Sequence, residues 1–376
     1  MNPYIDIYRD GEKIREVFLA INQISKKLKN PLKIMEVCGG HTHTIMKYSL
    51  LQLLPENIEF IHGPGCPVCV MPRGRIDHAY KIASQKDVIL LTLGDMIKVP
   101  GSFGSLQVAR SNGLDVRFIY SPLDILKIAK ENKDKKIVYF AIGFETTTPM
   151  TAALLNRVIE EKLDNVFFHI NHVLVPPPLE VILDSKDCKI NALLAPSHVS
   201  VITGAKIYES LLDKYHLPIV VCGFEPLDIG ESILSIVNQK INNESKINIQ
   251  YARVVSKDGN LKAQELVDKY FTLRDSFYWR GLGEIPHSAL RLKDEYAKYD
   301  AEIIFKDYLG GIPKDEHKGC ICGEILRGNK KPLDCRLFAK ACNPQNPLGS
   351  CMVSSEGACA AYYKYGGVSN ILNQTK

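Results

Sequence analysis

The sequence predicts an α/β protein: two Rossmann-like parallel-sheet domains followed by a smaller C-terminal iron–sulfur domain. Three observations predict it. Short apolar runs repeatedly end in glycine-rich turns and lead into amphipathic segments, the pattern of strand–turn–helix units on a parallel sheet. That pattern pauses at the charged E-N-K-D-K-K of 131–136 and then starts again. Six of the eleven cysteines crowd into 320–359, beyond the last such unit. A chain of 376 residues is too long for one ordinary core, so two or three domains are expected.

Val17, Phe18, Ile21, Ile24 and Leu28 fall at near-helical spacing and predict a helix within 1–30 that packs on the core. The first α/β domain, 31–131, opens on the strand K-I-M-E-V, which runs into C-G-G-H-T-H-T. Thr42 or Thr44 is expected to cap the helix that follows. I-E-F-I-H then leads to G-P-G-C-P-V-C, V-I-L-L-T-L to G-D-M, and V-R-F-I-Y-S-P to a helix at 122–131. The second domain, 132–255, repeats the scheme with I-V-Y-F-A-I-G-F-E, N-V-F-F-H-I-N-H, I-N-A-L-L-A-P-S-H and I-V-V-C-G-F-E-P, and closes on the strand I-N-I-Q-Y-A-R-V-V. The recurrence of G-F-E at 143–145 and 223–225 suggests a shared loop role. Residues 256–376 form the cysteine-rich domain, entered through a helix and the aromatic F-Y-W-R-G-L-G-E-I-P.

Hydrophobic content of 45% and charged content of 24% describe a globular protein. A net charge of +5 without a long Lys/Arg block gives no indication of nucleic-acid binding. No apolar run approaches the ~20 residues of a membrane span, and the N-terminus lacks an export signal. The cytoplasm is the expected compartment, where cysteines at motif spacing serve metals or redox chemistry more often than structural disulfides. Walker, G-x-G-x-x-G and G-x-S-x-G motifs are absent, so nucleotide and hydrolase functions have no motif support.

In open α/β sheets the ligand crevice lies outside the C-terminal ends of the strands. Cys38, His41, His43, His62, Cys66, Cys69, Asp95, Glu145, His172, His198 and Glu225 all follow predicted strands, so one shared crevice is expected. Cys38 stands where a strand meets a helix N-terminus, an environment that favours thiolate, with His41 and His43 close by. Cys66 and Cys69 form a C-x-x-C with proline inside it, a spacing that suits a dithiol/disulfide pair and also half of a metal site. His62 and His78 are the nearest local candidates for the other half. In the C-terminal field the gaps of 1, 12, 6, 8 and 7 residues match neither a ferredoxin run nor a zinc ribbon. All-sulfur ligation favours an iron–sulfur cluster there, with structural zinc as the alternative. Cys188 and Cys222 lie in apolar surroundings and are expected in the core.

C-G-G-H-T-H, G-P-G-C-P-V-C, G-F-E-T-T, A-P-S-H-V and C-M-V-S-S-E-G-A-C together resemble the HypD family of [NiFe]-hydrogenase maturation factors, over about residues 33–366. The resemblance implies an assembly protein that helps build the Fe(CN)2CO group of the hydrogenase. It would work with a small HypC-type partner and receive cyanide by way of a HypE-type donor, serving the hydrogenase large subunit indirectly. Cys38 would hold the iron, supported by His41. Cys66 and Cys69 would exchange electrons with a [4Fe–4S] cluster held by four of the C-terminal cysteines. Cys335, Cys342 and Cys359 would supply three ligands, with Cys322 and Cys351 both open for the fourth. His198 and Glu356 occupy distinctive motifs and are further functional candidates. The resemblance implies an accessory redox protein; the alternative from another class is an iron–sulfur thiol oxidoreductase that reduces a protein disulfide. The relay requires Cys335–Cys359 to fold back beside the Cys66–Cys69 loop. Thiol exchange in turn requires an accessible Cys66.

Overall fold

A computed structural model describes residues 5–311 and 318–366. Its two main sheets use nine strands: β1 (Leu32–Glu36), β2 (Ile58–His62), β3 (Val88–Leu93), β4 (Val116–Ile119), β5 (Lys136–Gly143), β6 (Val166–His172), β7 (Ala192–Pro196), β8 (Ile219–Cys222) and β9 (Ile247–Ile249). The first sheet has the order β9-β8-β7-β1-β2 and the second β4-β3-β5-β6, and every pairing in both is parallel. The strands are near-continuous apolar runs because helices cover both faces. β7 and β8 are buried at every position.

The sheets do not divide at the charged seam. β4 and β5, on either side of it, both pair with β3. β1 pairs with β2 on one side and with β7 on the other, so the whole second sheet is inserted between β2 and β7 of the first. The expected division into 31–131 and 132–255 is therefore corrected for sheet membership. The E-N-K-D-K-K run is only the polar connection between α5 (Asp124–Glu131) and β5, and polarity there reflects exposure rather than a domain boundary. One core joins the sheets: Met35, Leu193 and Val221 of the first pack in the same apolar cluster as Leu90, Val138 and Phe140 of the second.

The N-terminal helix α1 (Gly11–Ile24) buries Phe18 and Ile21 against Ile229 and Ile233 of α6 (Pro226–Ile241), as its periodicity predicts. The chain before it is held by charge. Arg9 forms a bidentate pair with Glu225 (2.5 and 2.8 Å), and Arg253 is sandwiched between the Tyr8 and Tyr251 rings while it grips the fully buried Asp228. The predicted strand at 247–255 is shortened to β9, after which the chain turns. Two short antiparallel pairs, 271–273 with 290–292 and 276–279 with 283–286, follow. They place Trp279 in the common core, with its Nε1 donating to Ser288 (2.8 Å). The cysteine segment beyond 318 is mostly turns and short helices, closed by α7 (Ala358–Tyr365). Among the described residues no helix is long and apolar enough to cross a membrane.

Candidate functional site

The site begins where β1 and β2 end. Cys38 is the extended N-cap residue of α2 (Gly39–Lys47), and Cys66 caps the short α3 (Pro67–Val70). The helix therefore starts at Gly39, and Thr42 and Thr44 lie inside it rather than capping it. Thr42 hydrogen-bonds the Glu36 carboxylate, and the Thr44 hydroxyl donates to the Phe224 carbonyl (2.6 Å). The two cysteine loops touch directly. Gly39 N donates to Gly65 O (3.1 Å), and a Cβ at Gly65 would lie 2.5 Å from both the Cys38 Cα and the Val37 carbonyl carbon. Backbone lies so close to backbone here that only glycine fits.

Glu36 organises this junction and was invisible in the motifs. Fully buried at the end of β1, its carboxylate accepts from Cys38 N (3.1 Å), from the Thr42 hydroxyl, and bonds His62 Nδ1 (2.7 Å). His62 passes the network on to the Tyr362 hydroxyl of α7 through Nε2 (3.2 Å), and His43 Nε2 meets the Tyr365 hydroxyl (3.3 Å). These two histidines thus dock the C-terminal helix against the Cys38 loop. His78 sits in α4 (Arg73–Ala83), over the second sheet, near His169. Neither His62 nor His78 completes a metal site with the C-x-x-C, and Cys66 and Cys69 are joined by a disulfide.

His41 is buried, with Nε2 3.1 Å from the Cys222 carbonyl and its ring stacked on Phe224. His198 also packs on Phe224, with ring centroids 4.0 Å apart. Glu356 closes over Gly39, where an added Cβ would collide with the Glu356 Cβ and carbonyl. Glu356 also lines an open crevice with Gly40, His43, His198, Phe224 and Glu225. Burial, and then the charge of Glu356, pushes the Cys38 thiol well above its ordinary pKa. Burial, with Asp95 as the next cause, raises Glu356 itself. The helix N-terminus alone was expected to favour thiolate; desolvation and the facing carboxylate outweigh it.

The expected single crevice is thus gathered mainly at the first sheet. Of the second-sheet residues, Asp95 faces Glu356 electrostatically. Glu145 accepts from Val175 N (2.9 Å) at the start of the helix 176–183, its other oxygen has no hydrogen-bond partner among the described residues, and burial lifts its pKa to about 7. His172 is buried on the Thr151 hydroxyl (2.8 Å). Glu225 shares with Glu145 a place at a helix N-terminus, in a capping box with Asp228. Cys222 is in the core as expected, whereas Cys188 is only half-buried.

The C-terminal cysteines fold back as the relay requires. Cys320, Cys322, Cys335, Cys342, Cys351 and Cys359 all line one cavity whose remaining wall is apolar, including Ile325, Phe338 and Met352. Cys322 and Cys351 cluster directly with Cys66 and Cys69, and the Ser350 hydroxyl donates to the Cys69 carbonyl (2.7 Å). Cys335 and Cys342 lie on the far side of the cavity, with Phe338 and Tyr362. Cys322 is hydrogen-bonded to Cys320 on one side and Cys351 on the other; the first lowers its pKa, but the second and burial prevail, pushing it up to about 12. Burial and the neighbouring thiols raise Cys359 as well. Cys320, left out of the sequence-based ligand set, belongs to this cavity. A Cβ added at Gly349 would lie 2.8 Å from the Cys320 sulfur, which marks how tightly the site is built. Cys66 is only 4% exposed and Cys69 1%, so the accessibility expected of Cys66 is corrected: its loop is covered by the folded-back segment.

Comparison with known proteins follows the same motifs. A family model described as "HypD: Hydrogenase formation hypA family" matches residues 12–366. The Hydrogenase maturation factor HypD2 of Bradyrhizobium diazoefficiens is 48% identical over 370 residues, covering 96% of this chain and 97% of that protein. The Hydrogenase maturation factor HypD of Escherichia coli is 46% identical over 366 residues, covering 96% and 98%, and that of Cupriavidus necator 45% over 375, covering 98% of each. The match runs through both sheets and the cysteine cavity alike, and the chain belongs to the HypD family of hydrogenase maturation factors.

Proposed function

We propose that this maturation factor is a redox-active scaffold on which the Fe(CN)2CO group is assembled, with a HypC-type partner and a HypE-type cyanide donor. The observation that carries the reading is contiguity. The Cys38 loop is hydrogen-bonded to the loop that leads into the Cys66–Cys69 disulfide, and that disulfide packs in turn against the cavity lined by six thiols. Soft thiolate suits low-spin iron bearing cyanide and carbonyl, and Cys38 is a half-buried thiol beside Gly40 of the crevice wall. Its raised pKa keeps it a thiol until the iron arrives as cargo. Binding then displaces the proton, and the neighbouring Glu356 carboxylate is placed to accept it.

The cavity fits an iron–sulfur cluster by its donors: thiols gathered on an apolar wall are costly as isolated thiolates and stabilised by a soft cation. Cys335, Cys342 and Cys359, which pack together on one side of the cavity, are proposed ligands, and the fourth comes from Cys320, Cys322 or Cys351, all of which pack with the Cys66–Cys69 disulfide. When bound, a cluster supplies single electrons. Two electrons and two protons convert the Cys66–Cys69 disulfide to two thiols. The rival thiol oxidoreductase would expose its disulfide to a protein substrate, and the burial of both sulfurs opposes it. Infrared spectra of the complex with the small partner test the scaffold: Cys38→Ala removes the iron-bound cyanide and carbonyl bands. Bands of undiminished intensity in that variant end the proposal.

A further inference from the structure

The charge of this chain is not spread evenly. Residues 318–376 hold eight Lys/Arg against three Asp/Glu, so the entire formal excess of five resides there, and residues 1–317 are balanced. Within the described part the charge gathers between Arg327 and Lys340, the stretch that carries the cavity-lining Cys335, Leu337 and Phe338. Arg327, Lys330, Lys331, Arg336 and Lys340 are all exposed, and Leu333 among them is 49% exposed. Arg336 lies between the cavity-lining Cys335 and Leu337, and Lys340 stands two residues before Cys342. Lys331 is partly neutralised by Glu59 (2.9 Å) and Arg327 by Glu324 (3.7 Å). Lys330, Arg336 and Lys340 make no ion pair among the described residues. The basic face is also the side of the cavity away from Cys66 and Cys69, since Cys335 and Cys342 pack with Phe338 and Tyr362 rather than with the disulfide.

We infer that this face is the docking surface of an acidic one-electron carrier protein. The inference rests on the proposed relay and supplies its missing input. Each reduction of the Cys66–Cys69 disulfide takes up two electrons and two protons, the protons coming from solvent. Two carrier molecules pass from reduced to oxidised for each disulfide opened. Five exposed cations flanking one exposed leucine within 14 residues of chain, three of them without an ion pair among the described residues, suit a small, short-lived encounter, in which charge sets orientation and on-rate more than affinity. Transient redox complexes of this kind occupy the small end of the range of interface areas.

The test uses the full chain, purified without oxygen, with reduced plant-type [2Fe–2S] ferredoxin as the probe, a small acidic carrier of low potential. Stopped-flow absorbance follows oxidation of the ferredoxin. Arg336→Glu combined with Lys340→Glu lowers the second-order rate by about 10-fold or more at low ionic strength. The deficit shrinks as salt approaches ~0.5 M, because screening removes steering. Fluorescence titration of labelled ferredoxin shows a matching loss of binding. Lys330→Glu alone gives a smaller loss and serves as a second variant if the double variant is poorly folded. Dithionite reduces wild type and variants equally, since it needs no docking surface. If wild type reacts with ferredoxin and the charge reversals leave the rate and its salt dependence unchanged, the docking surface is refuted. Equal affinity of the face for duplex DNA at the same salt overturns it too, by making it a general polyanion surface. A protein that dithionite leaves unchanged in absorbance fails the proposed relay itself, a separate outcome.

Discussion

Gly65→Ala probes the contact on which the site depends. The added Cβ would sit 2.5 Å from the Cys38 Cα and the Val37 carbonyl carbon, all rigid backbone, where ordinary contact begins at 3.4 Å. Relief requires the Cys38 and Cys66 loops to separate by about 1 Å, and overpacking of this kind costs about 1–3 kcal/mol. The fold survives such a loss, because both sheets and their common core lie beneath the loops. Reactive geometry does not: a displacement of ~1 Å costs about 100-fold in rate. Gly11→Ala, where nothing lies within 4 Å of the added methyl, is the control. Thermal unfolding measures the stability change, and the time course of infrared cyanide bands in the partner complex measures assembly. Gly65→Ala should lower the melting temperature modestly and slow band formation about 100-fold, with iron and sulfide content retained. Wild-type band formation in Gly65→Ala would show that the tight apposition of the loops has no part in the chemistry.

Other predictions separate the functional layers from the structural ones. Cys335→Ser and Cys342→Ser should strip iron and sulfide from the protein, whereas Cys38→Ala should leave both in place; anaerobic metal and sulfide analysis reads the difference. Among the described residues, Arg253→Ala leaves the fully buried Asp228 with Gln250 alone as a side-chain partner. Because Arg253 is itself about one-quarter exposed, the expected cost is about 2–3 kcal/mol, somewhat below that of a fully buried pair, measurable by urea unfolding. Glu145 gives a pH signature. Its folded pKa of about 7 against an ordinary 4.5 means that the native state holds the proton between those values, so stability falls as pH rises through that window. The displacement corresponds to about 3 kcal/mol. Glu145→Gln, which keeps an acceptor for Val175 N, should therefore gain stability over wild type at pH 8 and not at pH 4.5. An equal difference at both values would contradict this. His78 and His172 act in the opposite sense: held at about 4 against an ordinary 6.5, they withdraw stability as pH falls from 6.5 toward 4.

What the sequence made legible follows from locality. The strand ends, the three cysteine motifs and the packing of α1 rest on short-range patterns, so they were readable from periodicity and spacing. The insertion of the second sheet was not, because every strand–helix unit looks alike and only the pairing of β1 with both β2 and β7 reveals which sheet it joins. Polarity at 131–136 was mistaken for a seam for the same reason. Glu36 was missed because a single acid at a strand end carries no motif, yet it binds Cys38, Thr42 and His62 at once. The burial of Cys66 and the place of Cys320 depend on a segment some 250 residues distant closing over the loop, which no local pattern encodes.

The central claim is that the C-terminal thiols hold an iron–sulfur cluster beside the Cys66–Cys69 pair. Iron and acid-labile sulfide, quantified in protein purified without oxygen, test it most directly. The account predicts about four of each per chain, consistent with a four-iron cluster on four cysteines. Zinc in place of iron, with no sulfide, would make the cavity a structural metal site and remove the electron store from which the proposed assembly chemistry draws.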